Sequence, residues 1–243
     1  MRAMVLAAGL GTRLRPLTNE RPKALVEIGG RSLLEVTLER LASFGVREVI
    51  INVHHLADLV IQYLKAKNNF GLNVEISREE LLLDTGGGLK KAGWFFLQDP
   101  ARLDEPFILH NVDVVSTIDF SRLLQFHNEN RALATLAVQE RESSRYLLFD
   151  EQGELCGRRI GRDQEPELVR SAPNLQALAF SGIHMISPRL LSKITEEGVF
   201  SIITTYLRLA GDGETIRAFR ADEYYWRDLG KLDDLRQAEQ DLA

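Results

Sequence analysis

A run of six apolar residues, Ala3 to Ala8 (AMVLAA), stops abruptly at Gly9, and that stop constrains the chain more than any other feature. Six residues are too few for a buried helix, and apolarity without a period of two marks a strand covered on both faces. Arg47 to Asn52 (REVIIN) repeats the pattern. Between the two, Ser32 to Phe44 carries Leu33, Leu34, Val36, Leu38, Leu41 and Phe44 near helical spacing, opened by a capping-box pair, Ser32 and Glu35, and closed by Gly45. Strand, crossover helix and strand make one βαβ unit. The alternation continues with a helix over Leu56 to Lys65, a strand over Leu72 to Ile76, a helix over Gly88 to Phe96, and a strand over Phe107 to His110 that leads into Asn111 to Val115. The pattern predicts an α/β chain with a doubly wound, mostly parallel sheet and ligands at the carboxyl ends of its strands.

The second half is less regular. Leu133 to Gln139 reads as a strand; Tyr146 to Phe149 and Leu155 to Arg159 read as a β-hairpin around the turn-like Asp150 to Gly153. With the Pro-containing loop Arg162 to Asn174, this makes a hairpin insertion of about residues 140–175 beside the main sheet. Ala177 to Ile186 returns to a buried strand, and Pro188 opens a helix at its first turn. Ile202 to Leu209, Thr215 to Phe219, Tyr225 to Asp228 and Leu232 to Leu242 read as helix, strand, strand and terminal helix, so residues 1–243 are expected to form a single domain with no internal repeat.

Charge narrows the partners. A formal net charge of -5 gives no basic footprint for DNA or RNA, so no nucleic-acid partner is expected. An anionic ligand must then be met by local cations. Cys156 is the only cysteine, which rules out an intramolecular disulfide and suits a small buried side chain. No apolar run nears the roughly 18 residues of a membrane span, and the first strand leaves no room for a leader. A cytoplasmic protein without a membrane partner is expected.

The first strand runs directly into Gly9-Leu10-Gly11-Thr12-Arg13-Leu14-Arg15-Pro16-Leu17-Thr18. Glycines let backbone N–H groups approach an anion, and arginines add charge-assisted hydrogen bonds, so the run suits a phosphate cradle. Leu14 stands where a dinucleotide fingerprint needs its third glycine, and no Gly-Lys-Ser/Thr of a Walker loop occurs. Three further segments carry polar groups into this setting: Leu83-Asp84-Thr85-Gly86-Gly87-Gly88, Asn111-Val112-Asp113 at a strand end, and Tyr225-Trp226-Arg227-Asp228 near the C-terminus.

The N-terminal run, followed by Pro22-Lys23, resembles the GxGxRxxPxT signature of the sugar-1-phosphate nucleotidyltransferases. The resemblance covers essentially the whole chain and is weakest across the hairpin. It implies a Rossmann-like nucleotidyltransferase fold with a mixed sheet and a Mg2+-dependent transfer of a nucleoside monophosphate from an NTP to a sugar 1-phosphate. Ala7, Ala8, Gly9, Gly11, Thr12 and Arg13 would hold the nucleotide, together with Asp84, Gly87 and Gly88, whose glycine run would let a flat base approach the backbone. Arg13 and Lys23 would be catalytic, Asp113 and Asp228 would ligate magnesium, and Asn111, Ser181 and Gly182 would line the sugar pocket. The chain departs from the family at Ala24, where a second proline is usual, and at Val112, where glycine is common.

Short length and the DTGGG run look closest to N-acetylmuramate-1-phosphate uridylyltransferases; mannose-1-phosphate or heptose-1-phosphate guanylyltransferases are the alternative, so the nucleotide is UTP or GTP. A non-catalytic sugar-nucleotide-binding regulator is the reading from another class. Either a monomer or a homodimer is compatible. His54 and His55 are adjacent, diverge on any regular element and are read as structural. Arg141, Arg145, Arg158, Arg159 and Arg162 are read as a solvated or inter-subunit basic surface.

Overall fold

The computed structural model describes residues 1–161 and 164–241. Arg162 and the end of the expected terminal helix at Leu242 lie outside the described residues. Along the chain come β1 (Arg2–Leu6), β2 (Glu27–Ile28), β3 (Arg31–Ser32), α1 (Leu33–Ser43), β4 (Glu48–Val53), α2 (Ala57–Ala66), β5 (Asn73–Arg78), α3 (Asp84–Ala92) and α4 (Trp94–Leu97). Then follow β6 (Phe107–Asn111), β7 (Val114–Ser116), α5 (Phe120–Glu129), β8 (Ala134–Gln139), β9 (Arg145–Phe149), β10 (Leu155–Ile160), β11 (Glu167–Leu168) and β12 (Gln176–Ile186). The chain closes with α6 (Ile202–Gly211), β13 (Ile216–Arg220), β14 (Trp226–Asp228) and α7 (Leu232–Asp241).

The sheet runs β11-β10-β9-β12-β6-β1-β4-β5, with β8 on β12 and β13 on β8. The pairs β6/β1, β1/β4 and β4/β5 are parallel, as the βαβ reading requires; β12 enters antiparallel to β6, β8 and β9. The sheet is therefore mixed, with one parallel group at β6-β1-β4-β5 and a second parallel pair, β8 with β13, beyond β12. The β9–β10 hairpin forms where expected, but it extends this sheet through β12 rather than standing beside it. Within the following loop, β11 adds two residues to β10, a pairing too short to leave a sequence signal.

Both faces of the parallel strands are covered. Val5, Val49, Ile51 and Ile108 point into one core with α1, α2, α5 and α7, represented by Leu38, Val60, Leu123 and Leu235. Met4, Ile50, Phe107 and Leu109, the alternate positions, point into a second core with Leu89 of α3, Phe96 of α4 and Tyr206 of α6. The capping box at α1 is real on its first half, with Ser32 accepting from the Glu35 N–H at 3.0 Å.

Two buried side chains escape the apolar pattern. Arg2 is 1% exposed, and its guanidinium donates to the carbonyls of Phe95, Phe96 and Arg102, satisfying the C-terminal end of α4. Cys156 is buried as expected, and burial pushes its thiol up. Among the described residues no helix is long and apolar enough to cross a membrane.

Candidate active site

A cleft of about 350 Å³ opens at the carboxyl ends of β1, β4 and β6. Its wall is formed by Ala8 and Gly9 after β1, Asn52 on β4, Leu82, Asp84 and Thr85 before and on α3, and Asn111, Val112 and Asp113 after β6, with Lys23 and Val199 at its rim. Parallel strands that all end on one edge leave such an opening where the connections diverge.

The glycine loop is shaped by contact as well as by backbone. Gly11 has φ +63, and a Cβ there would lie 2.8 Å from Thr18 Cγ2 and 3.1 Å from Lys23 Cβ. Glycine is therefore required twice over, by conformation and by space. Thr18 Oγ1 donates to the Gly11 carbonyl at 2.7 Å and closes the loop onto the Lys23 turn. Nothing lies within 4 Å of the corresponding point on Gly9, which faces the open cleft. Ala7 and Ala8 are buried, and Thr12 is exposed at the start of the short turn that carries Arg13.

Four charged residues distant in sequence meet at one end of the cleft. Lys23 follows Pro22 in a 3-10 turn and donates to Asp113 Oδ2. Asp113 sits in the turn between β6 and β7, and β7 pairs with β14 in the register Asp228↔Val114. The Leu229 N–H donates to the Asp113 carbonyl at 2.8 Å, which locks the two aspartate backbones side by side. Burial, and after it the Asp113 carboxylate, push the Asp228 carboxyl up from the ordinary aspartate range, against Lys23, the Gly230 N–H and Arg13. Arg13 is exposed, yet it reaches the same spot: a Cβ on Gly230 would lie 2.7 Å from Asp228 Oδ1 and 2.9 Å from Arg13 Cζ. Arg13, Lys23, Asp113 and Asp228 are thus brought together.

Val112 leaves the turn intact. It is 4% exposed, packs into the core and donates its N–H to the Leu6 carbonyl at 3.1 Å. Ala24 is fully buried, so a small side chain rather than a proline fills that place.

Gly87 and Gly88, expected beside a flat base, lie inside a helix. The DTGGG run opens α3, which begins at Asp84 rather than at Gly88, and Gly86, Gly87 and Gly88 are buried. A Cβ on Gly87 would strike the Gly198 carbonyl at 2.5 Å, and one on Gly88 would lie 2.8 Å from Asn52 Nδ2 and Glu79 Oε1. These glycines let α3 pack against its neighbours, and Asp84 and Thr85, just before them, line the cleft. Asp84 lies in the left-handed region at φ 60. Such backbone strain in a non-glycine residue collects at ligand sites.

Sequence reasoning missed Asn52 and Glu79. Asn52 Oδ1 accepts from the Ala7 N–H at 2.7 Å, its Nδ2 donates to Glu79 Oε1 at 2.7 Å, and Glu79 Oε2 accepts from the Leu83 N–H at 2.9 Å. This buried relay ties the glycine loop to the start of α3. A polar residue at the carboxyl end of a buried strand was the available signal for Asn52. His54 is structural as read, its Nδ1 within 2.9 Å of the Glu79 carbonyl.

At the other wall, β12 slips register between Phe180 and His184, and Gly182 there has φ +72. A Cβ on Gly182 would lie 2.8 Å from Asn111 Nδ2, so this glycine admits Asn111. Asn111 Oδ1 and Ser181 Oγ are buried without a hydrogen-bond partner. Ser181 and Gly182 lie behind Asn111 and are not part of the cleft wall itself.

The nucleotidyl transferase family model matches residues 2–243. The chain belongs to the nucleotidyl transferase family. This nucleotidyl transferase is 35% identical over 249 residues to the N-acetylmuramate alpha-1-phosphate uridylyltransferase of Caulobacter vibrioides, an alignment covering 99% of the chain and 96% of the relative. It is 32% identical over 237 residues to the mannose-1-phosphate guanyltransferase of Yarrowia lipolytica, covering 96% of the chain but 62% of that longer relative. In fold it matches HddC from Yersinia pseudotuberculosis, solved as a complex with GMP-PN, with a TM-score of 0.79 at 22% identity over 100% of this chain and 99% of the other. The Rossmann-like transferase fold expected from the sequence is therefore the one present.

Proposed function

We propose that this enzyme transfers a nucleoside monophosphate from a nucleoside triphosphate to a sugar 1-phosphate, and that its preferred pair is UTP with N-acetylmuramate 1-phosphate. The observation that carries the reaction is the meeting of Arg13, Lys23, Asp113 and Asp228 at one end of the cleft. An oxygen of the sugar phosphate forms a bond to the α-phosphorus, the bond from that phosphorus to the bridging oxygen breaks, and pyrophosphate leaves. Transfer of this kind depends on alignment and on cations placed where charge gathers. Arg13, extended across Gly230, is placed for the triphosphate; Lys23 is placed for the reacting phosphoryl group and the incoming sugar phosphate. The glycine loop and the Asn52–Glu79 relay hold the nucleotide side, and Asn111 with its unpartnered Oδ1 faces the sugar side.

Asp113 and Asp228 fit a magnesium ion. Burial first, and the Asp113 carboxylate after it, push the Asp228 carboxyl up, and two carboxylates held side by side by the β7–β14 pairing suit a shared hard cation. Magnesium takes one or two carboxylates and completes its shell with water and phosphate oxygens. When bound, it would neutralise charge on the phosphates and help hold them in line.

The near-equal length and 35% identity of the Caulobacter relative support the uridylyl and N-acetylmuramate choice. Guanylyl transfer to mannose 1-phosphate or heptose 1-phosphate is the second reading, supported by the Yarrowia relative. Retention of all four charged groups in one cluster disfavours a non-catalytic regulator. The buried, lone Cys156 suits a reducing cytoplasm.

The test is a matrix of four nucleoside triphosphates against N-acetylmuramate, mannose, heptose and glucose 1-phosphates with magnesium, read as pyrophosphate release. Fastest release with UTP and N-acetylmuramate 1-phosphate is expected. No release with any pair would remove the enzymatic reading.

A further inference from the structure

Arg141, expected on a solvated or inter-subunit basic surface, packs its guanidinium against the protein's own chain. Its guanidinium lies over the indole of Trp226, with Cζ 3.7 Å from the ring centroid, and Nη2 donates to the Phe180 carbonyl at 2.8 Å. Its Nε is buried and has no hydrogen-bond partner. Among the described residues no carboxylate comes within ion-pairing distance of it, whereas Arg158 is paired with Glu167 and Arg170 with Glu154. Among the described residues its five N–H donors therefore find one acceptor, the Phe180 carbonyl.

Burial lowers the pKa of the Arg141 guanidinium, and the Asp228 carboxylate, beyond ion-pairing distance, opposes this; stacking on an indole recovers only part of the cost of burying the charge. The position makes the charge meaningful. Trp226 Nε1 donates to the Ser181 carbonyl at 2.7 Å, so the indole is fixed against the same bulge that admits Asn111. Trp226 and Asp228 are two residues apart on β14 and share a face, about 7 Å from each other along the strand. Arg141, stacked on Trp226, thus stands about one strand repeat from Asp228, and its bond to the Phe180 carbonyl sets it next to the bulge that carries Ser181 and admits Asn111. On the sugar-1-phosphate reading Lys23 and Arg13 serve the phosphates, which leaves Arg141 for the part of the acceptor away from them.

We infer that Arg141 determines acceptor specificity by pairing its guanidinium edge with a carboxylate carried on the sugar ring away from the 1-phosphate. The inference rests on the sugar-1-phosphate reading above and names the acceptor class as acidic sugars. A planar fork held flat by Trp226 matches a carboxylate in two-pronged geometry, and the ring-bound lactyl carboxylate of N-acetylmuramate is such a group.

The experiment compares kcat/KM for N-acetylmuramate 1-phosphate with that for N-acetylglucosamine 1-phosphate, which lacks the lactyl carboxylate, in the wild type, Arg141→Gln and Arg141→Lys. Arg141→Gln should lower the acidic-over-neutral selectivity ratio by about ten-fold or more, mainly through KM for the acidic sugar, and Arg141→Lys should restore part of it. The wild type should also discriminate against the lactyl amide, a comparison that needs no variant to fold. Equal losses on both sugars, or a wild type indifferent to the amide, would overturn the inference. Turnover of neutral sugars alone would overturn the role of Arg141 and keep the sugar-1-phosphate reading; absence of turnover with every sugar 1-phosphate would remove both.

Discussion

Lys23 and Asp113, 90 positions apart in the chain, form an ion pair in which the lysine is 11% and the aspartate 18% exposed. The pair joins the glycine-loop side of the cleft to the carboxylate side, and it places a cation on the carboxylate that repels Asp228. Replacing Lys23 by Ala removes that positive charge from the phosphate end of the cleft. Turnover should fall by roughly 100-fold or more, as when other positioned transition-state groups are deleted. Pyrophosphate release reports the loss, with circular dichroism showing that the variant remains folded. A variant within a few-fold of the wild type would take Lys23 out of the reaction.

Gly11→Ala tests the loop itself. A methyl group there meets Thr18 and Lys23 and must adopt φ +63, so the loop has to shift. KM for the nucleoside triphosphate should rise about ten-fold or more, with a smaller effect on the acceptor. Wild-type kinetics in this variant would mean that the loop does not shape the nucleotide site.

Asn52→Ala breaks the relay from Ala7 to Glu79 and leaves a buried carboxylate oxygen and a buried N–H without partners. The expected cost is about 1–3 kcal/mol of stability, together with weaker nucleotide binding because both walls of the cleft lose their tie. Urea unfolding and nucleotide titration measure the two effects separately. Unchanged nucleotide affinity in a destabilised variant would make the relay a fold element only.

What could be read from residues alone follows the range of the interactions involved. The βαβ alternation, the Ser32 cap and the cradle after β1 depend on near neighbours, and each leaves a local pattern. The meeting of Asp113 with Asp228 depends on the β7–β14 pairing, three residues on each side and more than 100 positions apart, which no periodicity reveals. Resemblance to the family supplied what spacing did not. The Gly86–Gly88 run reads equally as backbone opened to a ligand and as room for close packing, and only the structure shows how near Phe200, Gly198 and Asn52 come to it. Arg141 looked like one of several surface arginines, and only the placement of Trp226 beneath it separates it from the others.

Acid sensitivity should come from three buried histidines. Burial pushes His110 down to about 4, His127 to about 4 and His184 to about 3, from a usual 6.5. Ser187 Oγ donates to the Ala132 carbonyl, so His127 Nε2 donates to Ser187 and its Nδ1 accepts from Thr135; the ring is held neutral. Below the unfolded value near 6.5 the unfolded chain binds protons that the folded protein refuses, so stability falls as pH drops from about 6.5 toward 4. The slope approaches roughly 1 kcal/mol per pH unit for each histidine. Urea midpoints between pH 7 and pH 5 should decline, and His127→Gln should flatten the decline. A flat wild-type profile would contradict the assignment.

Arg2→Met should destabilise the protein by about 2–4 kcal/mol, because the carbonyls of Phe95, Phe96 and Arg102 lose their donor inside the structure. Thermal unfolding at neutral pH measures it. A melting temperature within a degree of the wild type would show that water or a neighbouring donor replaces the guanidinium.

The most direct test of the central claim is a crystal structure with a non-hydrolysable nucleoside triphosphate and manganese in place of magnesium, using the anomalous signal to locate the metal. The account predicts one manganese peak bonded to both Asp113 and Asp228 and to phosphate oxygens of the nucleotide, with Arg13 and Lys23 on the same triphosphate. A triphosphate bound away from Arg13 and Lys23, or a metal held by neither aspartate, would contradict it.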